Sequence, residues 1–303
     1  MTTLTSPAGP GSEPGKAVGT APRKRPLWQR ILPLVIVLAG VLLLAYPVVV
    51  TYLRNASQAD QARAYRDSQV TVSQEDRSYW IDRAHKYNEA QVGAPILDPW
   101  LARVSKDNRP YRDYLEELNP KGDDSPMAAL AIPSIGVALP VYHGTEPETL
   151  AHGVGHLYGS GLPVGGEGNH SVLTGHSGLI DATLFDRLPE VKVGDKFYLN
   201  VLGEDFTYQV DEINTVLPED TSKIQPIADR DLVTLITCTP YGVNSHRLLV
   251  RGTRVPNDPV ETHSAFDAAA GLWQWWMIAA AVAIVLALLA LLWLWLRNRK
   301  KQE

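Results

Sequence analysis

Leu-Val-Thr-Leu-Ile-Thr-Cys-Thr-Pro-Tyr-Gly-Val-Asn-Ser-His-Arg-Leu-Leu-Val-Arg-Gly, residues Leu232–Gly252, reads as strand, tight loop, strand. Leu232–Thr237 is aliphatic and β-branched, which suits a buried strand. Pro240, Gly242 and Asn244 punctuate a loop. Arg247–Arg251 resumes an apolar run. Cys238, the only cysteine, stands where the first strand ends, and Arg247 opens the second. The turn can bring them side by side, as a nucleophile and a donor to an oxyanion. A lone strand cysteine is also commonly a small buried hydrophobe with no chemistry. A catalytic reading needs a histidine from elsewhere in the chain.

Outward from this stretch the texture stays β. Ala128–Ile132 and Val137–Tyr142 flank Pro133-Ser134-Ile135-Gly136. Ser171–Thr174 is closed by Gly175. Lys196–Leu202 and Phe206–Val210 alternate around Gly203-Glu204-Asp205 as a hairpin, and Ile213–Leu217 is a further strand. Leu184–Leu188 suits a short helix. Many short strands with Gly and Pro turns predict an all-β barrel or sandwich over residues 127–255.

Two long apolar runs bracket this region. Ile31–Leu53 carries no charge over about 23 residues, and Ala268–Leu296 none over about 29, each enough to cross a bilayer. A cleaved signal peptide would have a shorter apolar core and a small-residue site, so the first run reads as a retained helix. Trp273, Trp275, Trp276, Trp293 and Trp295 mark interfaces around the second. Arg23, Lys24, Arg25 and Arg30 precede the first run; Arg297, Arg299, Lys300 and Lys301 follow the second. Basic flanks on the outer sides predict both termini in the cytoplasm and 54–267 outside, at the cell membrane. Residues 1–30 read as a disordered tail rich in Gly, Pro, Ser and Thr, and 297–303 as a basic tail. Residues 54–126 read as helices, with Ser73 as an N-cap, followed by a loop from Gly93. Residues 256–267 read as a linker.

The net charge of -5 and the absence of a basic block between the tails speak against a nucleic-acid partner. One cysteine excludes an intramolecular disulfide. No phosphate loop, dinucleotide fingerprint or zinc spacing occurs, so no metal or cofactor is expected. Among the histidines, His85 and His263 lie peripherally. His246 faces away from its neighbour Arg247 if both are in a strand. His143, His152 and His156 sit in a Gly-rich region and could be surface residues, and His170 precedes a strand. His176 ends one, in Val172-Leu173-Thr174-Gly175-His176-Ser177-Gly178, and leads modestly by position.

Thr234-Leu235-Ile236-Thr237-Cys238, with Arg247 nine positions on, resembles the T-L-x-T-C…R signature of sortases, and Thr174-Gly175-His176 resembles their T-G-H motif. Ile132–Gly136, Leu139–Gly144 and the Cys238–Arg247 loop resemble the class C, pilus-building branch; Asp98-Pro99-Trp100 resembles its lid motif. The resemblance implies an eight-stranded β-barrel with N-terminal helices and two transmembrane helices. It implies Cys238 as nucleophile, His176 as acid and base, Arg247 as oxyanion or substrate donor, and Asp98, Pro99 and Trp100 as a lid. The implied partners are pilins or surface proteins carrying an LPxTG-like signal, cut between Thr and Gly and joined to a lysine amine of another pilin. A housekeeping sortase using a peptidoglycan precursor is the alternative within enzymes. A sorted structural wall protein would need L-P-x-T-G just before its final helix, and Pro256-Asn257-Asp258-Pro259 supplies none.

Overall fold

In the computed structural model, which describes residues 27–90, 109–268 and 271–299, eight strands close on themselves. They are β1 (Ala128–Ile132), β2 (Val137–His143), β3 (Val154–His156), β4 (His170–Thr174), β5 (Lys196–Val201), β6 (Glu204–Val216), β7 (Leu232–Thr239) and β8 (His246–Val255). Their order around the barrel is β1-β2-β3-β4-β7-β8-β6-β5, and β5 returns to β1 through Ala129↔Asn200. Closure gives every strand a neighbour on both sides. Two neighbouring pairs are parallel, β2–β3 and β4–β7. The second brings the strand before His176 alongside the strand that carries Cys238.

Six helices complete the described chain: α1 (Leu27–Gln69), α2 (Gln74–Ala90), α3 (Arg109–Leu115), α4 (Pro147–His152), α5 (Pro259–Ala268) and α6 (Trp275–Arg299). α1 and α6 are each long and apolar enough to cross a membrane. α1 does not stop at the end of its apolar run but continues as helix to Gln69, against the barrel. Ser73 caps α2 as expected, its Oγ accepting from the Asp76 amide at 3.0 Å.

Alternation sorts the strand residues onto two faces. Leu130, Leu173, Phe197, Leu199, Val233, Leu235, Leu248 and Val250 fill the interior. On the outer face of β1 and β5, Ala129, Ala131 and Tyr198 pack against Ala62, Tyr65, Ala265 and Phe266 of α1 and α5. The two alanines let the helices approach closely. Tyr65 Oη donates to the Met127 carbonyl at 2.7 Å and accepts from the Leu202 amide at 2.9 Å, pinning α1 across the β1–β5 seam.

Several local expectations need correction. Residues 256–267 are not slack linker: α5 occupies most of them, because Ala265 and Phe266 cover the outer alanines. Phe206–Val210 and Ile213–Leu217 are one strand, β6, with a register shift between Val210 and Glu212. The hairpin turn lies one to two residues earlier than expected, so β6 opens at Glu204. Residues 184–187 form turns, and the short helical turn falls at Leu188–Glu190. β3 and α4 were not expected. Their short spans offer no periodicity to read. Helix begins at Leu27, inside the expected tail, and α6 begins at Trp275, within the second apolar run. His156 is fully buried and His143 half-buried, so neither is an open surface residue. Tyr114 of α3 stacks on His156 and meets its Nδ1 at 2.9 Å; His143 Nε2 meets the Glu117 carbonyl at 2.7 Å. Burial pushes both imidazoles down to about 4.

Candidate active site

β7 lies between β4 and β8, with Cys238 and Arg247 paired across β7–β8 and His176 two residues past the end of β4. Cys238 pairs directly with Arg247 in the antiparallel register. Thr174 pairs with Ile236 in the parallel register, and the Gly175 amide extends that ladder to the Ile236 carbonyl at 3.0 Å. His176 and Cys238 therefore each stand two residues beyond paired positions, on neighbouring strand ends. Residues two apart share a face. Cys238 thus shares the outer face with Ile236 and Thr234, and Arg247 shares it with Leu249 and Arg251.

That outer face has its own apolar floor. Val172, Ile236 and Leu249 pack with Leu157 and Ile224, separately from the barrel interior. Beyond the floor, Asp211 takes both nitrogens of the Arg251 fork at 3.0 Å and also pairs with Arg230. The β6 register shift falls at Asp211, and a bulge of this kind re-aims side chains. The cationic cluster at that end is consequently neutralised, and Arg247 stands at the opposite end beside Cys238.

Four contacts hold the strand ends together. Thr237 Oγ1 donates to the Gly175 carbonyl at 2.8 Å. Ser177 Oγ donates to the Cys238 carbonyl at 2.7 Å. The Phe185 amide donates to the His176 carbonyl at 3.0 Å. Gly178 N–H donates to Asp186 Oδ1 at 2.7 Å, and burial nevertheless pushes that carboxyl up to about 6. Gly175 is required sterically: a Cβ there would stand 2.6 Å from the ring of fully buried Phe185. None of the roles of Ser177, Thr237 or Phe185 was visible in sequence, since each depends on which strand ends meet.

Cys238 and Arg247 are buried, and His176 is half-buried. Burial lowers the His176 pKa and favours its neutral form. Arg247 Nη1 donates to the carbonyls of Asn244 and His246, each at 3.3 Å, so the turn itself orients the guanidinium. Asp98, Pro99 and Trp100 lie outside the described residues. Among the described residues no group of three or more His, Cys, Asp or Glu side chains is placed to hold a metal ion.

The sortase domain family matches residues 130–255. Sortase A of Bacillus anthracis is 30% identical over 153 residues, covering 50% of this chain and 70% of the relative. The chain belongs to the sortase family. This is a family of cysteine transpeptidases, and Cys238, His176 and Arg247 fall inside the matched domain. Sortase D of Bacillus subtilis is 34% identical over 129 residues, 42% of this chain and 62% of that relative, so less than two thirds of its length is covered. Among solved structures, sortase A from Corynebacterium diphtheriae is 52% identical with a TM-score of 0.61, covering 68% of this chain and 94% of that one. Sortase C-1 from Actinomyces oris is 53% identical with a TM-score of 0.56, covering 59% and 99%. The similar proteins thus carry names from more than one sortase class.

Proposed function

We propose that this chain is a membrane-anchored cysteine transpeptidase that cuts an LPxTG-like sorting signal between Thr and Gly and passes the acyl group to a lysine amine of a pilin. The observation that carries the reading is the direct pairing of Cys238 with Arg247 beside the β4 end after which His176 follows. Cys238 Sγ, as thiolate, attacks the Thr carbonyl carbon. Arg247 donates hydrogen bonds to the oxygen that becomes negative. As the C–N bond breaks, the His176 imidazolium gives its proton to the leaving Gly amine, and a thioester remains on Cys238. The now-neutral His176 takes a proton from the incoming lysine amine, which attacks the thioester and releases Cys238. Burial of His176 lowers its pKa and so disfavours the imidazolium that the first step needs.

Support for the pilus-building branch comes from the class C-like motifs around Ile132–Gly144 and Cys238–Arg247, and from likeness to sortase C proteins. One of these, from Streptococcus pneumoniae, is described in terms of pilin substrate specificity. The Corynebacterium diphtheriae sortase A is known also as a lid mutant. That likeness supports a lid role for Asp98, Pro99 and Trp100, with Asp98 facing Arg247 and Trp100 facing Cys238. Both termini are cytoplasmic in this proposal, and the barrel lies outside the cell.

The test supplies the full chain in vesicles with an LPxTG peptide and, separately, a pilin domain bearing surface lysines or a peptidoglycan-precursor amine. Mass spectrometry reads the acyl-enzyme on Cys238 and the transferred product. Transfer to the pilin lysine in preference to the precursor amine is expected. Preference for the precursor would establish the housekeeping alternative, and product formation by folded Cys238→Ala would end the mechanism.

A further inference from the structure

The loop that follows His176 is fastened to the membrane helix as well as to the barrel. Thr51 Oγ1 donates to the Ile180 carbonyl at 3.3 Å. Arg54 pairs with Asp181 at 3.0 Å. Asn55 Nδ2 donates to Thr183 Oγ1 at 2.8 Å, and Asn55 Oδ1 accepts from the Thr183 amide at 3.1 Å. Three neighbouring α1 residues thus hold residues 180–183.

The height of those residues is fixed by the apolar runs. Ile31–Leu53 as α-helix rises about 35 Å, against a hydrocarbon core about 30 Å thick, so Thr51–Asn55 falls at the boundary with the headgroups. α6 marks the same layer independently. The Trp273 ring lies 5.3 Å from that of Tyr52, and Trp275, the first residue of α6, is exposed. Tryptophan concentrates at bilayer interfaces. Ile180, held against Thr51 at this level, is 84% exposed. The neighbouring carboxylate, Asp181, is compensated by Arg54.

We infer that the loop 177–184 is seated on the bilayer surface, with Ile180 inserted into the interfacial region of the leaflet on the barrel side. Its partner is the lipid surface itself. The contact is continuous with the membrane helices, which argues for lipid over a second protein. It rests on α1 and α6 crossing the bilayer and is independent of the sorting signal used. Its consequence for the site is positional. Ser177 ties the same loop to Cys238, and Gly178 lies against Tyr241 and Gly242 of the β7–β8 turn. The mouth of the site is therefore held at a fixed height beside the membrane, where a membrane-tethered chain presents its juxtamembrane residues.

The experiment uses the full chain carrying Cys238→Ala, so that one introduced cysteine takes a nitroxide label. Labels replace Ile180, Leu43 within the α1 apolar run, or Val70, which lies about 25 Å of helix beyond Leu53. After reconstitution into phosphatidylcholine–phosphatidylglycerol vesicles, collision rates with oxygen and with a water-soluble nickel chelate are compared. The expected result is an oxygen-to-nickel ratio at position 180 nearer that of position 43 than that of position 70. A ratio equal to that of position 70 overturns the inference. Low access to both reagents at position 180 would mean cover by protein, a second copy included, and also overturns it. A water-like ratio at position 43 would remove α1 from the bilayer and the inference with it. No catalysis is read, so the outcome is separate from the proposed reaction.

Discussion

Gly175→Ala tests the claim that the His176 strand end is positioned by packing. The added Cβ would stand 2.6, 2.8 and 2.9 Å from three ring atoms of Phe185. Carbon atoms pack without penalty at about 3.5–4.0 Å, so the ring or the backbone must shift by about 1 Å. Phe185 is fully buried within the barrel core. Overpacking of this kind costs about 1–3 kcal/mol. The backbone at Gly175 is not left-handed, so no conformational penalty adds to the steric one. Since Phe185 N–H also holds the His176 carbonyl, part of the shift reaches the imidazole. Misplacement by about 1 Å can cost about 100-fold in rate. The assay combines urea unfolding of the detergent-solubilised full chain with steady-state acyl transfer, in Gly175→Ala, Phe185→Ala and the double variant. Phe185→Ala alone should lose about 3–5 kcal/mol. In the double variant the new methyl enters the vacated space, so the two losses should be markedly less than additive. Wild-type stability and turnover in Gly175→Ala, or strict additivity, would refute the reasoning.

Arg247→Lys should lower kcat by about 100–1000-fold with the fold intact, because a point charge does not reproduce the fork that the Asn244 and His246 carbonyls orient; near-normal turnover would remove Arg247 from the oxyanion role. Acid should destabilise the barrel between pH 6.5 and about 4. There the unfolded chain binds protons at His143 and His156 that the folded chain refuses, which is about 3 kcal/mol for each imidazole. Asp186, raised to about 6, acts with the opposite sign between its unfolded value and pH 6, so the decisive reading is a difference: His156→Gln should cut proton uptake on unfolding near pH 5 by about one. An unchanged pH slope in that variant would contradict the burial argument. Tags at Met1 and Glu303 should resist protease added to intact protoplasts, and digestion of either refutes the hairpin topology. Replacing Asp98 and Trp100 together by Ala should speed alkylation of Cys238 by a bulky thiol reagent with unchanged circular dichroism; equal rates would show that this segment does not guard the thiol.

What the sequence made legible follows from how local each signal is. Strands β1, β2, β4, β5 and β7 carry apolar or alternating runs, so they could be read within a residue or two, while β8 runs on to Val255, beyond the expected Arg247–Arg251. β6 was divided in two because Asp211-Glu212 breaks the apolar pattern. The structure shows why a continuous strand can hold those charges: the register shift there turns Asp211 to Arg230 and Arg251. α5 was missed as a linker because its apolar content is slight. It becomes a helix by covering Ala129 and Ala131, a tertiary cause that no window of its own sequence contains. The same distinction governs the site. Cys238 and Arg247 sit on two strands joined by one turn, so their pairing was readable from the hairpin. Position and resemblance alone point to His176, because its strand end is brought to β7 by a parallel pairing of β4 with β7, separated in sequence by the whole β5–β6 excursion.

That parallel pairing also limits how the site can respond to change. His176 follows a strand end whose neighbours are Phe185 on the inside, Ser177 and Thr237 across the seam, and the α1-bound residues 180–183 beyond. The contacts of Ser177, Thr237 and residues 180–183 are long-range in sequence, so they depend on β7 and α1 staying in place. Barrel closure supplies the rigidity, since β4 and β7 cannot slide without shifting β3 and β8 as well. Arg247 also donates to carbonyls of its own turn, Asn244 and His246, and stands opposite Cys238 in the β7–β8 register. Loosening α1 from the barrel should therefore disturb His176 before Arg247. Asn55→Ala removes both of the links to Thr183 and leaves the β7–β8 hairpin untouched. Its expected signature is slower acyl-enzyme formation, with the proton-transfer step affected and substrate affinity near normal. Equal losses in affinity and rate would show instead that the membrane helix acts on the site through the whole barrel.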